Sequence, residues 1–392
     1  MISEYFEQKW NANSLVAKEQ VMDFLAANHG CQAPIGVEEV HRALLKIKAR
    51  SHFTGDGTSM KAWMVSFAAN PQVMAQYFAR LVCSADMMAE HEIVAKLRGK
   101  KTRTPRLSEV RAILPLPPAL QVADVIIATA LEEWFVPRWP QEEGCFVGGV
   151  AKTQTADIGS AIGLALERAE YDHGKCGVAQ ADVRAFYDRL SPLRISRWLQ
   201  AQNCPQWIVT AVTVMQLCAR VVFRLEHGRK MLRPRFSGGI TGSRVAGMCG
   251  RIVIADTMRA TIQAGELSYF VVGAERLLFA SWIDNLYSLA CDSSAACRNL
   301  EKFESQLQQR WRLDFKADSR TVISASRRDR GLDVRSFKWQ CPFLVLGFKI
   351  GLAGCPQADF EAAENTIWSR LLGRSGESES QEGTPSIEIK RC

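Results

Sequence analysis

Two short apolar stretches, far apart in the chain, each bring an aspartate to a strand end, and no other feature constrains the fold as much. In Gly177-Val-Ala-Gln-Ala-Asp182, residues Val178, Gln180 and Asp182 alternate with Gly177, Ala179 and Ala181, a period of two that predicts a strand ending on an acid. Arg276 to Ser281 and Leu286 to Ala290 flank Trp282-Ile-Asp-Asn285, which predicts an apolar hairpin with Asp284 at its tip. One such acid is an ordinary turn residue. Two on one sheet can share divalent metals, because magnesium takes hard oxygen ligands and leaves positions for substrate phosphates. In two-metal phosphoryl transfer the ions sit roughly 3.5–4 Å apart, one at the attacking and one at the leaving oxygen.

Around these segments the pattern is helix-rich first and mixed second, an α+β arrangement rather than a doubly wound sheet. Val40, Ala43, Leu44 and Ile47 fall on one face of an amphipathic helix, followed by a glycine-bearing turn from Ser51 to Gly57. Helix is expected from Ser59 to Met88, from Val125 to Trp134 and from Asp157 to Glu170, with basic loops between, including Arg98 to Arg106. Val122 to Leu131 is apolar, and Asp124 interrupts it, which suits a buried helix. Beyond Asp182, helices are expected at Arg194–Gln202 and Trp207–Cys218. A hairpin follows at Arg220–Leu225 and Lys230–Phe236, then a glycine-rich loop from Ser237 to Ser243 that opens a helix to about Ile262. Leu300, Phe303, Leu307 and Trp311 mark a further helix, Ala296–Trp311. Arg320–Ala325 and Phe343–Ile350 are strand candidates, and the Gly, Ser and Glu beyond Arg374 predict a disordered tail.

Composition adds limits. The 392 residues carry 49 Lys+Arg against 41 Asp+Glu, a net charge of +8 that permits a polyanionic partner without demanding one. Twelve cysteines with no CxxC pair argue against structural zinc and suit small core residues in a reduced, intracellular protein, nuclear or cytoplasmic. No uninterrupted apolar run reaches the ~18 residues of a membrane span. The loop Gly238–Gly250 lacks dinucleotide spacing, and Lys152-Thr153 lacks the glycines of a phosphate-binding loop. Trp134, Trp139, Trp207 and Trp311 suit core packing, and His173 and His227 suit turns. Asp188 suits a helix start or a hydrogen bond better than a third catalytic acid.

On these motifs the chain resembles reverse transcriptases, in particular the non-LTR retrotransposon and group II intron branch, over roughly Gly36 to Gly351. Asp182-Val-Arg-Ala-Phe-Tyr-Asp188 is similar to the first palm motif, and Gly238-Gly-Ile-Thr-Gly-Ser243 to the motif that supports template and incoming nucleotide. Trp282-Ile-Asp-Asn285 sits where the family has an aromatic, one variable residue and two aspartates.

The resemblance implies a right-hand polymerase core, with an N-terminal helical segment (1–35), helix-rich fingers (36–171) and an antiparallel-sheet palm (172–351). A residual thumb-like helix (352–374) and the tail (375–392) would follow, the thumb being absent or truncated. It implies an RNA-directed DNA polymerase working on an RNA template, a DNA primer and dNTPs with two Mg2+ or Mn2+ ions. Asp182 and Asp284 would be catalytic, and Asp182, Val183 and Asp284 would be metal ligands. Arg111, Lys152, Tyr187 and Gly242 would bind nucleotide, Tyr187 as the wall that rejects a 2′-hydroxyl. Leu346 and Gly347 would form the primer grip, and Lys316 or Arg320 the basic residue of the fourth palm motif.

The departures are Asn285 for the second aspartate, Thr241 for the usual glutamine, and Ala246-Gly247 for the usual Ser-Pro. They imply slower chemistry, a manganese preference, or an inactive module that binds nucleic acid. The absence of nuclease segments implies a fragment of a mobile-element polyprotein or a decayed copy.

Overall fold

The structure is a computed structural model that describes residues 2–11, 14–48, 58–99, 110–148, 154–171, 174–225, 228–231, 235–272, 275–325, 337–339, 343–345 and 348–350. In chain order the elements open with α1 (Ile2–Asn11), α2 (Ser14–Ala27), α3 (Val37–Leu45), α4 (Met60–Ala69), α5 (Pro71–Leu81) and α6 (Ala85–Ala89). Next come β1 (Glu92–Arg98), β2 (Arg111–Ile113), α7 (Pro118–Arg138), β3 (Cys145–Val147), α8 (Thr155–Tyr171) and β4 (Gly177–Asp182). The middle holds α9 (Phe186–Arg189), α10 (Pro192–Ala201), α11 (Gln206–Leu217), β5 (Arg220–Leu225), β6 (Gly228–Met231) and α12 (Arg244–Gln263). Then follow β7 (Phe270–Val272), β8 (Glu275–Leu277), β9 (Phe279–Trp282), β10 (Asn285–Ala290) and α13 (Ser293–Trp311). The last are β11 (Thr321–Ser324), β12 (Lys338–Trp339), β13 (Phe343–Val345) and β14 (Phe348–Ile350). The fold is α+β, and among the described residues no helix is long and apolar enough to cross a membrane.

The chain divides into two compact units, each made of two stretches. The first is 1–139 with 185–250, and the second is 140–184 with 251–392. The boundary expected near Tyr171 therefore falls inside the second unit.

In the first unit, β2, β1, β5 and β6 form a four-stranded sheet in that order. β1 runs antiparallel to β2 and parallel to β5, with Glu92 opposite Arg220. Helices surround a core that includes Phe78, Leu120, Ile127 and Val209. α7 starts earlier than its apolar run suggests because Pro118 takes the first helical position, where a missing N–H costs nothing. α1 docks through Phe6 and Trp10, both buried, with Phe6 stacked on Phe223 at 5.6 Å between centroids.

The second unit is built on a six-stranded sheet ordered β12-β11-β4-β10-β9-β3. Its middle four strands are antiparallel, while β12 and β3 add parallel edges. One face packs on α8 through a cluster including Ile158, Ile162, Leu166, Val178, Tyr287, Leu289 and Ile323. The other meets α13, where Leu300, Phe303 and Leu307 are buried and Phe303 lies edge-on to Phe279 at 5.6 Å. Each such side chain contributes roughly 1.5–3 kcal/mol by leaving water. Gly177 opens β4 because a Cβ there would lie 2.2 Å from the Ser293 backbone nitrogen, so strand and helix start could not meet otherwise.

Three expectations shift. The stretch read as helices with basic loops also supplies β1, β2 and β3. The strand expected at Arg276–Ser281 splits at Leu278 into β8, which pairs with β7, and β9, which joins the large sheet. The second strand of the β5–β6 hairpin is described as far as Met231, residues 232–234 lie outside the described residues, and Phe236, its expected end, lies in a bend. The thumb-like segment and the tail lie outside the described residues.

Candidate functional site

Asp182 is the last residue of β4, a strand formed because Val178, Ala179 and Ala181 are buried between two helical layers. β4 and β10 pair with Asp182 opposite Asn285, Gln180 opposite Tyr287 and Val178 opposite Leu289. Directly opposed residues share a face, so Asp182, Asn285 and Trp282 form one row of the α8-side face. Gln180, Tyr287 and Thr321 form the next row. The Gln180 Oε1 and Thr321 Oγ1 atoms are buried with no hydrogen-bond partner among the described residues. The face thus grades from an apolar cluster at Val178 and Leu289 to a polar end at Asp182.

Asp284 occupies the two-residue turn between β9 and β10, and its carbonyl accepts the Val183 amide at 2.8 Å. Both aspartates therefore stand at the same end of adjacent strands. Ile283 precedes Asp284 at φ 60°, a region that β-branched residues rarely enter and that marks local strain at the tip.

The backbone around Asp182 is anchored twice. Its amide donates to Ser319 Oγ at 2.9 Å, and its carbonyl accepts the Lys316 amide at 2.8 Å. Val183 bridges to Phe315, with the Arg184 amide on the Asp314 carbonyl and the Lys316 amide on the Asp182 carbonyl. Two carboxylates and one carbonyl make a hard-oxygen donor set that fits magnesium. Asn285 Nδ2 points a weak donor at Asp284 Oδ1, 3.4 Å away. Among the described residues no three His, Cys, Asp or Glu side chains gather as a cation cage. Of the two basic candidates, Lys316 is half-exposed and pairs with Asp318 at 3.3 Å. Arg320 is held by both Glu304 oxygens at 2.8 and 2.7 Å.

The other site residues that the structure describes belong to the first unit. Arg111 begins β2 directly opposite Arg98 of β1, and both are exposed. Two opposed guanidiniums repel, a cost that a bound anion relieves. Tyr187 lies on α9, half-buried, and its carbonyl accepts the Gly239 amide at 2.7 Å. Asp188 binds Lys9 at 2.7 Å and the Trp10 indole N–H at 3.1 Å, so it ties down α1. Lys152, Leu346, Gly347, His173 and His227 lie outside the described residues.

Gly242 sits at φ +97°, the left-handed region that favours glycine, between Thr241 and the start of α12. Both residues line a cavity of about 440 Å³, together with Lys46, Lys48, Arg244 and Asp124. Asp124 is 3% exposed, and the sequence marks it only as a charge interrupting an apolar helix. Burial pushes its carboxyl above the ordinary carboxylate range, opposed by hydrogen bonds from Ser243, Arg244 and Val245. A lone acid on a buried helix face must find donors, and that was the signal available. The described cysteines are free thiols, and most are buried.

Comparison with protein-family models gives no match for this chain. Comparison with curated proteins gives none either.

Proposed function

We propose that the chain is an RNA-directed DNA polymerase, a reverse transcriptase domain that extends a DNA primer with dNTPs on an RNA template. The observation that carries this reading is the register of the β9–β10 hairpin against β4. It sets Asp182 and Asp284 at one end of adjacent strands, with the Val183 amide bonded to the Asp284 carbonyl. The antiparallel β11-β4-β10-β9 core and helix-rich first unit suit a palm and fingers. The opposed Arg98 and Arg111 suit a polyphosphate, and Tyr187 suits a wall against a 2′-hydroxyl.

In this reading a primer 3′-hydroxyl attacks the α-phosphorus of a dNTP, a P–O bond forms as the hydroxyl proton passes to water, and pyrophosphate leaves with the electron pair of the broken bond. The Asp182 and Asp284 carboxylates and the Val183 carbonyl would hold two divalent ions, which supply charge neutralisation for the attacking and leaving oxygens. The protein's own contribution is placement. The strand ladder holds the Asp182 backbone and the Val183 amide holds that of Asp284, which supports a site that would need little reorganisation in the transition state.

Primer extension on an RNA template tests this directly. The wild-type chain should extend the primer, and Asp182→Asn or Asp284→Asn should each slow extension by ~100-fold or more with an unchanged melting temperature. No extension by the wild type in magnesium or manganese would sink the polymerase reading.

Asn285 favours a second reading, a module that binds primer-template without chemistry. It faces Asp182 where a second acid would add charge for the metals. Tight primer-template binding with no extension in either metal is its signature.

A further inference from the structure

The Thr241–Gly242 turn is held by a buried polar network that reaches it from two other helices. Gln216 on α11 accepts the Ile240 amide at 2.7 Å through Oε1 and donates to Ser243 Oγ at 3.1 Å through Nε2. Ser243 Oγ donates to Asp124 Oδ1 at 2.5 Å and accepts the Ala246 amide at 3.2 Å. Asp124 on α7 also accepts the Arg244 amide at 2.7 Å and the Val245 amide at 3.1 Å. Arg244 and Val245 open α12, where backbone N–H groups have no partner inside their own helix. A carboxylate from a different helix therefore caps α12 and, through Ser243, grips the turn before it. Between these two anchors Gly242 is open, with no atom within 4 Å of where a Cβ would stand. The turn faces a cavity with three cationic side chains.

We infer that Asp124 is a positioning residue, which fixes the Thr241–Gly242 backbone at the cavity so that an unpaired template strand can lie against it. The inference rests on the polymerase reading for the identity of the strand. Asp124→Asn keeps the shape but offers one acceptor where the carboxylate offers two, so at least one of the three donors loses its partner. The turn is then free to move, while surfaces that bind duplex are untouched.

The test compares two labelled RNA–DNA duplexes by fluorescence anisotropy, one blunt and one with a 5′ unpaired RNA extension, alongside primer extension by the wild type. Asp124→Asn and Ser243→Ala should each weaken binding of the extended duplex about tenfold, the scale of one lost buried hydrogen bond. Binding of the blunt duplex should stay within about twofold. Gly242→Ala strains the turn without touching the network and should reproduce the effect, which keeps the test open if Asp124→Asn does not fold. Equal losses on both duplexes, or no loss on either, would overturn the inference. If the wild type prefers the extended duplex but does not extend it, and the variants lose that preference, the inference holds and the polymerase reading fails. A wild type with neither preference nor extension removes both.

Discussion

Asn285 faces Asp182 across the β4–β10 ladder, one residue from Asp284. A carboxylate there would add negative charge beside two others. We expect Asn285→Asp to raise magnesium-supported primer extension about tenfold, equivalent to ~1.4 kcal/mol of barrier. Manganese-supported extension should change less, because manganese binds a given oxygen site more strongly than magnesium. The ratio of the two rates, measured for both variants, decides the matter, and a larger gain in manganese would reject it. Asp182 and Asp284 were legible in the sequence because strand alternation and an apolar hairpin announce themselves within a few residues. Asp124 was not. Its donors come from Ser243, Arg244 and Val245, about 120 positions further along, and no local pattern encodes so distant a partner.

Gly177 shows how much one element can depend on a missing side chain. The start of β4 lies against the first turn of α13, where Asp292 caps the helix by accepting the Ala295 amide at 2.7 Å. Gly177→Ala would drive a methyl group into the Ser293 backbone, which cannot rotate away. We expect a loss of about 3 kcal/mol, at the upper end of ordinary overpacking, read as a fall in the urea midpoint. An unchanged midpoint would mean that strand and helix start are not in contact. Helices such as α3 and α13 were legible from spacing alone, since Val40, Ala43 and Leu44, and Leu300, Phe303, Leu307 and Trp311, are among the residues they bury, although Ile47 of the expected face lies past the end of α3. β1 was hidden because only Ile93 and Ala95 of its seven residues are buried and its outer end is charged. β3 has three residues and pairs with a strand far along the chain, Cys145 opposite Phe279. Short strands with distant partners carry too few residues for a period to emerge.

At the level of the whole molecule, neither unit is a continuous piece of chain. The first needs residues 185–250 to supply β5, the partner of β1, and α11, which supplies Gln216 to the turn network. A fragment ending at Trp139 should therefore unfold without cooperativity, whereas the full chain should show a sigmoidal urea transition. A cooperative transition in the fragment would contradict the division into units. The parallel β1–β5 pairing also has a consequence for synthesis. With Glu92 opposite Arg220, β1 leaves the ribosome on the order of ten seconds before its partner, at translation rates of ~5–20 residues per second. During that wait Ile93 and the backbone edge of β1 stand open to other nascent chains. Nascent-chain production of this protein should therefore lean on holdase chaperones, and slower translation between Glu92 and Arg220 should lengthen the exposure and lower the soluble yield.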